Sequence, residues 1–464
     1  MKQTIKQNTE ENKEISFSRK EKFILFTLAS IMLLELIDTS VLNTALPQIA
    51  FDFHINPIQL KIAVTIYLLT LGMLIPCATW VADRFGIVRV LFISIIGFLV
   101  SSIFCGLSTG VISLVVARAF QGAFGAFAMP VGRLIMVRLF PDRLVTTLSF
   151  MATIIVIGPL LGPIIGGAVT TWLNWRVIFF INIPIGLFSL FCLNRFFPKM
   201  KRVKPEGQFN YLGFILLSIG LVLLLSFLDT LVDDRLSATL KLSIFAISLL
   251  SFISYFFHAR KKRFPIIKLQ LFKEKVFQFF IIQNSLMRLF LMGFPFLFPL
   301  FLQTKFHYSA FSSGMTLFPM LIGSWLSKQT VKPLLKHLLY QKFIIILLSL
   351  IFVLNILIAI TFLYFNLIIF IILSFFIGWS ISGLITILNT GVYKGLSEEN
   401  VSAGTTINSA VIQLGSSFAI AIIATVLIAS SGNLVLDWNT ALPNISYASV
   451  KCSSNVADTS WLIG

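Results

Sequence analysis

Two acidic residues, Glu35 and Asp38, lie within the first long apolar run of the chain, where a charge is costly. Their spacing of three residues places both on one face of a helix. A carboxylate at the centre of a bilayer costs about 2.5–3.5 kcal/mol on insertion scales, and burial and repulsion between neighbours both favour its neutral form. The pair is therefore a candidate for reversible proton binding, although acids near a membrane surface can also simply reach water.

Two arginines, Arg118 and Arg288, are the basic counterparts, because each also falls inside an apolar run. A guanidinium keeps its charge and must face protein or a water-filled cavity when it lies at membrane depth. Such a group can hold a carboxylate ionised until a proton or a substrate competes for it. The alternative for each arginine is a static ion pair or a clamp on backbone carbonyls.

The sequence lacks the residue patterns that several kinds of chemistry require. The phosphate-binding pattern GxxxxGK[ST] is absent, which argues against a self-contained ATP-driven pump. The four cysteines and four histidines are scattered and form no CxxC pair or Cys/His cluster, so we expect no metal site. No filter-like repeat or arginine ladder indicates a voltage-gated channel. We therefore expect no cofactor and no enzymatic activity.

The elements that position these residues are predicted to be membrane-spanning helices. Hydrophobic residues make up 57% of the chain and charged residues 12%, with a mean hydropathy of +0.94, whereas soluble domains carry about 25% charged residues. The apolar runs reach about 20 residues, the length of a spanning helix, and they lack the alternation of a barrel strand. About 13 runs begin near residues 23, 58, 90, 111, 146, 177, 211, 241, 276, 311, 343, 366 and 403.

Basic residues are distributed unevenly between the connections of these runs. The net charge is +18, and most lysines and arginines outside the runs fall in alternate connections that share one side of the membrane. Arg133, Arg138 and Arg143 are assigned together to one such connection. Because basic residues mark the cytoplasmic side, we expect a multi-pass protein of the inner or plasma membrane with a cytoplasmic N-terminus. We attribute the net charge to this topology rather than to nucleic-acid binding.

A glycine and proline pattern occupies the run that begins near residue 146. Ile157–Gly167 reads IGPLLGPIIGG, in which Gly158, Gly162 and Gly166 fall four residues apart on one helix face, a spacing that lets helix backbones touch. The intervening prolines remove backbone donors and bend the helix. The pattern is compatible with a general packing seam, but it resembles the antiporter motif in the fifth helix of the major facilitator superfamily.

Further segments resemble motifs of the same superfamily. Ala82–Gly86 resembles the core of its cytoplasmic loop motif, and Arg118–Gly122 resembles its fourth-helix motif, which usually continues with glycine where this chain has phenylalanine at position 124. Leu36–Pro47, Trp175–Gly186 and Gln413–Gly415 resemble segments of the 14-span drug:proton antiporters, the EmrB/QacA-like family. Together the resemblance extends from residue 25 to residue 430.

This resemblance implies an all-α integral membrane protein with the major facilitator fold, in which two pseudo-symmetric helix bundles surround a central cavity and two helices are inserted between them. The implied divisions are a cytoplasmic tail at 1–22, an N-terminal six-helix bundle at 23–198, a cytoplasmic loop at 199–208, the inserted helices at 209–258, a basic cytoplasmic loop at 259–275, a C-terminal bundle with five visible helices at 276–430 and an extracytoplasmic tail at 431–464. Trp461–Gly464 is apolar again, so we expect that the usual last span is missing, either by nature or because the reading frame is truncated.

The resemblance also implies roles for individual residues. Proton coupling is expected of Asp38, Glu35 and Arg118, a gating loop is expected to contain Asp83, Arg84, Gly86 and Arg89, and the antiporter motif comprises Gly158, Pro159, Gly162, Pro163, Gly166 and Gly167. Candidates for lining a substrate cavity are Asn43, Gln121, Arg288 and Gln413. Expected partners are the lipid bilayer, a small lipophilic substrate and protons, with a periplasmic adaptor and an outer-membrane channel as in some relatives, and no nucleic acid.

The expected function is proton-coupled efflux, an antiport of lipophilic drugs or toxic small molecules across the cytoplasmic membrane by alternating access. Two alternatives stay open. The same fold could export a single physiological solute, such as a metabolite, a lipid or a siderophore. The chain could instead be a truncated, transport-dead membrane protein that acts as a partner or a sensor. A proton-flux assay and a panel of substrates separate these possibilities.

Overall fold

The computed structural model describes residues 17–55, 57–198, 200, 207–230, 236–263, 265–287, 302, 308–337, 340–364, 367–393, 396, 400–401, 403–413 and 415. The regular structure of this part of the chain is helical and contains no strand. This confirms the predicted all-α class.

The helices of the first half begin close to the predicted starts of the apolar runs. They are α1 (Arg19–Asp52), α2 (Pro57–Phe85), α3 (Ile87–Gly106), α4 (Val111–Gly125), α5 (Ala128–Leu139), α6 (Leu144–Trp172), α7 (Val177–Phe180) and α8 (Asn182–Phe196). Two pairs of these helices each form one span, α4 with α5 over Val111–Leu139 and α7 with α8 over Val177–Phe196.

The remaining described helices follow in the same pattern of apolar runs. They are α9 (Tyr211–Thr230), α10 (Ala238–Lys261), α11 (275–287), α12 (Ala310–Met315), α13 (Phe318–His337), α14 (Tyr340–Tyr364), α15 (Leu367–Tyr393) and α16 (403–413). Short 3-10 helices at Pro141–Arg143 and Leu269–Lys273 lie in connections.

Eight spans in the described residues are long and apolar enough to cross a membrane, and Ile157–Trp172 and Lys342–Ile358 are shorter apolar helices. The chain is therefore a multi-pass membrane protein. The total of about 13 spans stays a prediction from the sequence.

The first helix begins at a capping box. The Ser18 hydroxyl accepts a hydrogen bond from the backbone N–H of Glu21 at 3.2 Å, and the Glu21 carboxylate accepts one from the Ser18 N–H at 2.8 Å. Two of the N–H groups that a helix start leaves without partners are thereby satisfied. The register of α1, and with it the positions of Glu35 and Asp38, is set from this point.

Helix α1 packs along α6, and α4 packs between α2 and α3. The inserted helices α9 and α10 pack on each other, and α9 also lies against α2. Serine hydroxyls join these helices, because Ser218 donates to the Met73 carbonyl at 2.9 Å and Ser248 donates to the Gly220 carbonyl at 2.8 Å. Small hydroxyl residues of this kind replace bulky side chains where membrane helices approach closely.

Ion pairs mark the two ends of the first half. At the end where α2, α5 and α8 finish, here called the basic end, Asp83 pairs with Arg138 at 2.7 Å and Glu21 pairs with Arg143 at 3.2 Å. At the opposite end, Asp52 pairs with Arg176 at 3.4 Å and accepts a hydrogen bond from the Trp175 indole at 2.7 Å.

The structure corrects the assignment of Arg133 and Arg138 to a connection. Both lie within α5, because the span continues to Leu139, and Arg133 is only 1% exposed. The charge pattern of the sequence also predicts Lys328 in the connection before the span that begins near residue 343. This residue likewise lies within a helix, α13, with its ammonium group 4.1 Å from the centre of the Phe150 ring. Contacts with distant helices stabilise these charges inside helices, and a local count of apolar residues does not detect such contacts.

Candidate functional site

The carboxylate of Asp38 is the centre of a buried hydrogen-bond network in the first half. It accepts from Arg118 Nη1 at 2.6 Å, from Gln121 Nε2 at 2.9 Å and from Asn182 Nδ2 at 2.9 Å. Asp38 is 4% exposed, and none of its three partners exceeds 1%. The donors come from α4 and α8, so three helices meet at one carboxylate. Both oxygen atoms of the Asp38 carboxyl group therefore accept hydrogen bonds, one of them from a charged donor.

The guanidinium of Arg118 has partners besides Asp38. Its Nη1 also donates to Gln121 Oε1 at 2.7 Å, its Nε donates to the Ala63 carbonyl at 3.4 Å, and its central carbon lies 4.1 Å from the centre of the Tyr67 ring. A cation over an aromatic face is stabilised by the ring quadrupole. The positive charge of Arg118 is therefore still partly supported if Asp38 becomes neutral.

The hydroxyl of Ser102, on α3, orients the two amide side chains of the network. It accepts from Gln121 Nε2 at 3.3 Å and from Asn182 Nδ2 at 2.9 Å, and it donates to the Phe179 carbonyl at 2.9 Å. Because each amide nitrogen is held by both Ser102 and Asp38, the carboxylate is met by donors in fixed positions.

Glu35 lies one turn from Asp38 on α1 but has different surroundings. It is 8% exposed, and its Oε2 atom has no hydrogen-bond partner among the described residues. The charged groups near it are Arg133 and Asp38. The structure thus places Asp38, Glu35 and Arg118 in one region, and it pairs only Asp38 with Arg118.

The residues predicted to form a gating loop lie at the basic end, where α2 ends and α3 begins. Asp83 pairs with Arg138 of α5, while Arg84 and Arg89 are exposed. Gly86 joins the two helices with a φ of 100°, a left-handed backbone conformation that a side chain disfavours. This turn therefore fixes the direction in which α3 leaves α2.

The antiporter-motif glycines form the face of α6 that touches α1. A Cβ atom at Gly158, Gly162 or Gly166 would collide with Leu36, Ser40 or Thr44, respectively. The Ser40 hydroxyl donates to the carbonyl of Pro159 at 2.9 Å, and the carbonyl of Gly167 accepts from Thr171 at 2.6 Å. On the far side of α6, the backbone of Pro163 would lie 2.9 Å from a Cβ at Gly314 of α12. Helix α6 is thus held between α1 and the second half.

The cavity candidates are not brought together in the described residues. Gln121 lies in the Asp38 network, whereas Gln413 lies at a narrow gap between α2, α9 and α16 that leaves no room for a water molecule, together with Gly72, Ile75, Leu221, Leu225 and Ala410. The Asn43 side chain and Arg288 lie outside the described residues. Within the described part of the chain, no three His, Cys, Asp or Glu side chains group where they could hold a metal ion.

The network and the glycine seam both fall within a segment that matches a known family. The model of the Major Facilitator Superfamily matches residues 28–420. The chain belongs to the major facilitator superfamily. It is a membrane transporter and not an enzyme.

Two bacterial members of the superfamily are similar to this one over most of their length. "Probable transport protein HsrA" from Haemophilus influenzae is 32% identical over 408 residues, which cover 87% of each chain. "Putative multidrug resistance protein MdtD" from Serratia proteamaculans is 30% identical over 414 residues, which cover 88% of this chain and 85% of the relative.

A solved structure of the superfamily agrees with the fold. The crystal structure of the human organic anion transporter MFSD10 (TETRAN) matches with a TM-score of 0.58 and 12% sequence identity, over 88% of this chain and 94% of that chain. At this identity the match bears on the fold alone.

Sequence reasoning missed four polar residues that the structure places beside the acids of this major facilitator protein. Asn182 and Ser102 contact the Asp38 network directly, Tyr67 lies under Arg118, and Arg133 lies near Glu35. The available signal was the presence of a polar residue at membrane depth, which is costly unless it has a partner. Asn182 carried that signal most clearly, because it stands in the apolar run Val177–Phe196.

Proposed function

We propose that this transporter exports lipophilic drugs or toxic small molecules in exchange for protons. The observation that carries the proposal is the buried Asp38 carboxylate and its three donors, Arg118, Gln121 and Asn182. The exchange takes place by alternating access, in which the two halves expose a site first to one side of the membrane and then to the other.

Proton binding at Asp38 changes the balance of charge around Arg118. In the ionised state the carboxylate and Arg118 form a hydrogen-bonded pair, which offsets the cost of burying both charges. A proton on Asp38 removes the negative charge and one acceptor, so Arg118 relies on the Ala63 carbonyl and the Tyr67 ring. The donors come from helices other than α1, so the two protonation states favour different relative positions of these helices.

The substrate class and the direction of transport are the finer parts of the proposal. Relatives named as multidrug resistance proteins support lipophilic drugs as substrates. The positive-inside rule supports a cytoplasmic location for the basic end and the N-terminus. One charge that moves inward through 100 mV releases about 2.3 kcal/mol, which can drive export.

Purified protein in vesicles tests the proposal. A dye substrate is added on the side of the basic end, and proton movement is followed with an internal pH indicator. We expect substrate-dependent proton flux in the wild type and none in Asp38→Asn. Asp52→Asn is the matched control, because Asp52 lies on the same helix but pairs at its far end. Dye export by the wild type without any proton movement, or by Asp38→Asn with normal proton movement, would contradict the proposal.

A further inference from the structure

Arg133 is a completely buried arginine in the contact between the two halves. Its Nη1 donates to the hydroxyl of Ser409, on α16, at 3.2 Å, and the Tyr393 side chain at the end of α15 lies close to the guanidinium. Its Nε has no partner among the described residues. The groups that the second half presents to Arg133 are hydroxyls, which do not offset a full positive charge.

The acid whose charge acts on Arg133 is Glu35, although the two side chains form no ion pair within 4 Å, and each has a buried polar atom without a partner among the described residues. Asp38 also faces Glu35 from the same helix, and Tyr67 faces it from α2. Asp38 is already paired with Arg118, whereas the Oε2 atom of Glu35 is without a partner in the described part of the chain. Glu35 is therefore the group that can balance the charge of Arg133.

This contact lies toward the basic end. Arg133 is six residues from the end of α5, and the neighbouring hydroxyls of Thr79, near the end of α2, and Thr406, on α16, are in hydrogen-bond contact. Thr406 and Ser409 are three residues apart on α16 and so face the first half together. Helix α16 thus meets α2 and α5 through polar groups at the end where the transporter would open toward the basic side.

We propose that Arg133 is a positioning residue that keeps the two halves together at the basic end only while Glu35 is negatively charged. With Glu35 ionised, the closed contact between α5 and α16 contains a balanced pair of charges. With Glu35 neutral, the same contact buries an uncompensated guanidinium, which is strongly unfavourable. Separation of α16 from α5 lets water reach Arg133 and removes that cost. The proposal rests on the alternating-access part of the proposed function and gives Glu35 a role distinct from that of Asp38.

Distances between spin labels at the basic end test this proposal. Labels are placed at Arg195→Cys, at the end of α8, and at Lys342→Cys, near the start of α14, since both side chains are exposed. The four native cysteines are replaced by alanine. Measurements use the full chain in lipid discs at one fixed pH, without substrate or gradient.

We expect the substitution of Arg133 to reverse the effect of the substitution of Glu35. Glu35→Gln should raise the ratio of long to short distances at least about tenfold, the effect of 1.4 kcal/mol on an equilibrium. The distances in Arg133→Gln should stay short, because Glu35 can lose its unbalanced charge by taking up a proton, whereas a guanidinium cannot lose its charge. The double variant Glu35→Gln/Arg133→Gln should return to the short distance. Loss of packing alone would make the double variant the most open of the three.

Ser382→Ala is the matched control, because Ser382 is a buried serine whose hydroxyl donates to the backbone carbonyl of Ser324 within the second half. Its distances should equal those of the wild type, whereas Ser409→Ala should shift part of the population to long distances. The proposal is overturned if Glu35→Gln stays short, or if the double variant is as open as Glu35→Gln. Either result would leave proton-coupled export through Asp38 intact, because the distances are measured without transport.

Discussion

At the scale of single residues, the two acids of α1 have different surroundings. Asp38 is held by Arg118 and two amides, whereas Glu35 has a free oxygen atom and lies near Arg133. Asp38 is therefore paired with Arg118 of α4, whereas Glu35 is near Arg133 of α5 without an ion pair, and both arginines lie on the span Val111–Leu139. One span thus carries a positive charge toward each end of the membrane, and α1 carries the matching acids.

Replacement of Arg118 tests whether its charge serves transport. Arg118→Ala leaves the Asp38 carboxylate buried without its counter-charge, a loss of about 3–5 kcal/mol for a broken buried pair. Arg118→Lys keeps the charge but loses the fork that reaches Asp38, Gln121 and the Ala63 carbonyl together. We therefore expect substrate-driven proton flux in vesicles to fall in the order wild type, Arg118→Lys, Arg118→Ala.

The amount of each variant in the membrane serves as the control for this comparison, since a broken buried pair also lowers stability. Rates are compared per inserted molecule. Equal export by Arg118→Lys and Arg118→Ala would show that the charge at this position is structural at most.

At the scale of helices, the sequence predicted well that the elements are helices and where several of them begin. It predicted poorly which side chains from distant parts of the chain contact each other. The starts of α2, α4 and α9 lie within one residue of the predicted positions, because bilayer thickness sets the length of an apolar run. Asn182 and Arg118 lie 144 and 80 residues from Asp38 along the chain. No local pattern contains such a pair, and for the same reason the buried position of Arg133 could not be predicted.

A glycine on the neighbouring helix α3 compensates for the bulk of Phe124, which a motif on α4 alone does not reveal. This residue stands where the fourth-helix motif usually has glycine, and its ring fills the space in which a Cβ at Gly97 of α3 would lie. The backbones of α3 and α4 remain close, because the Ser94 hydroxyl donates to the Phe124 carbonyl at 2.6 Å. The small residue is therefore on the neighbouring helix rather than in the motif itself.

Gly162→Leu tests the seam between α6 and α1. A side chain at this position would overlap Ser40, whose backbone carbon would lie 2.9 Å from the new Cβ, and overpacking of this kind costs about 1–3 kcal/mol or more. We expect normal insertion but blocked transport or a proton leak, with Gly162→Ala intermediate. The readout is dye export and proton leak in vesicles.

Gly110→Leu is the control for a larger side chain at a glycine, because nothing lies within 4 Å of a Cβ at that position. It should export as well as the wild type. Unchanged export and no leak in Gly162→Leu would mean that close contact along this face of α6 is not needed during transport.

At the scale of the whole molecule, two seams join the halves. Helix α6 contacts α12, α13 and α15 on one side, and α2 and α5 meet α16 on the other. The first seam contains glycines, prolines and aromatic rings, including Trp172 against Phe311 at 5.0 Å, and one ammonium group, that of Lys328 over the Phe150 ring. The second contains hydroxyls and the charge of Arg133. Alternating access requires that such seams separate, and in our proposal the second seam separates when the nearby Glu35 becomes neutral.

The distribution of charge over the two halves limits which substrates can be held. Between positions 303 and 430 the acidic residues are Glu398 and Glu399, in a predicted cytoplasmic loop. Buried polar groups of the second half include the amides of Asn284, Asn389 and Asn408, with a hydrogen bond of 2.8 Å from Asn284 to Asn408. These neutral groups can hydrogen-bond a substrate but supply no negative charge.

A preference for neutral, weakly acidic or monovalent lipophilic compounds follows from this balance. A dication needs two counter-charges when it leaves water, and the first half has Asp38 and Glu35 already facing arginines. The measurement is export of matched monovalent and divalent cationic dyes beside a lipophilic weak acid, in the same vesicles and at equal concentrations in the membrane. We expect the divalent dye to be exported at least about tenfold more slowly, because an unpaired charge in the interior costs more than 1.4 kcal/mol. Export of the divalent dye at the highest rate of the three would show that the substrate site contains a further negative group.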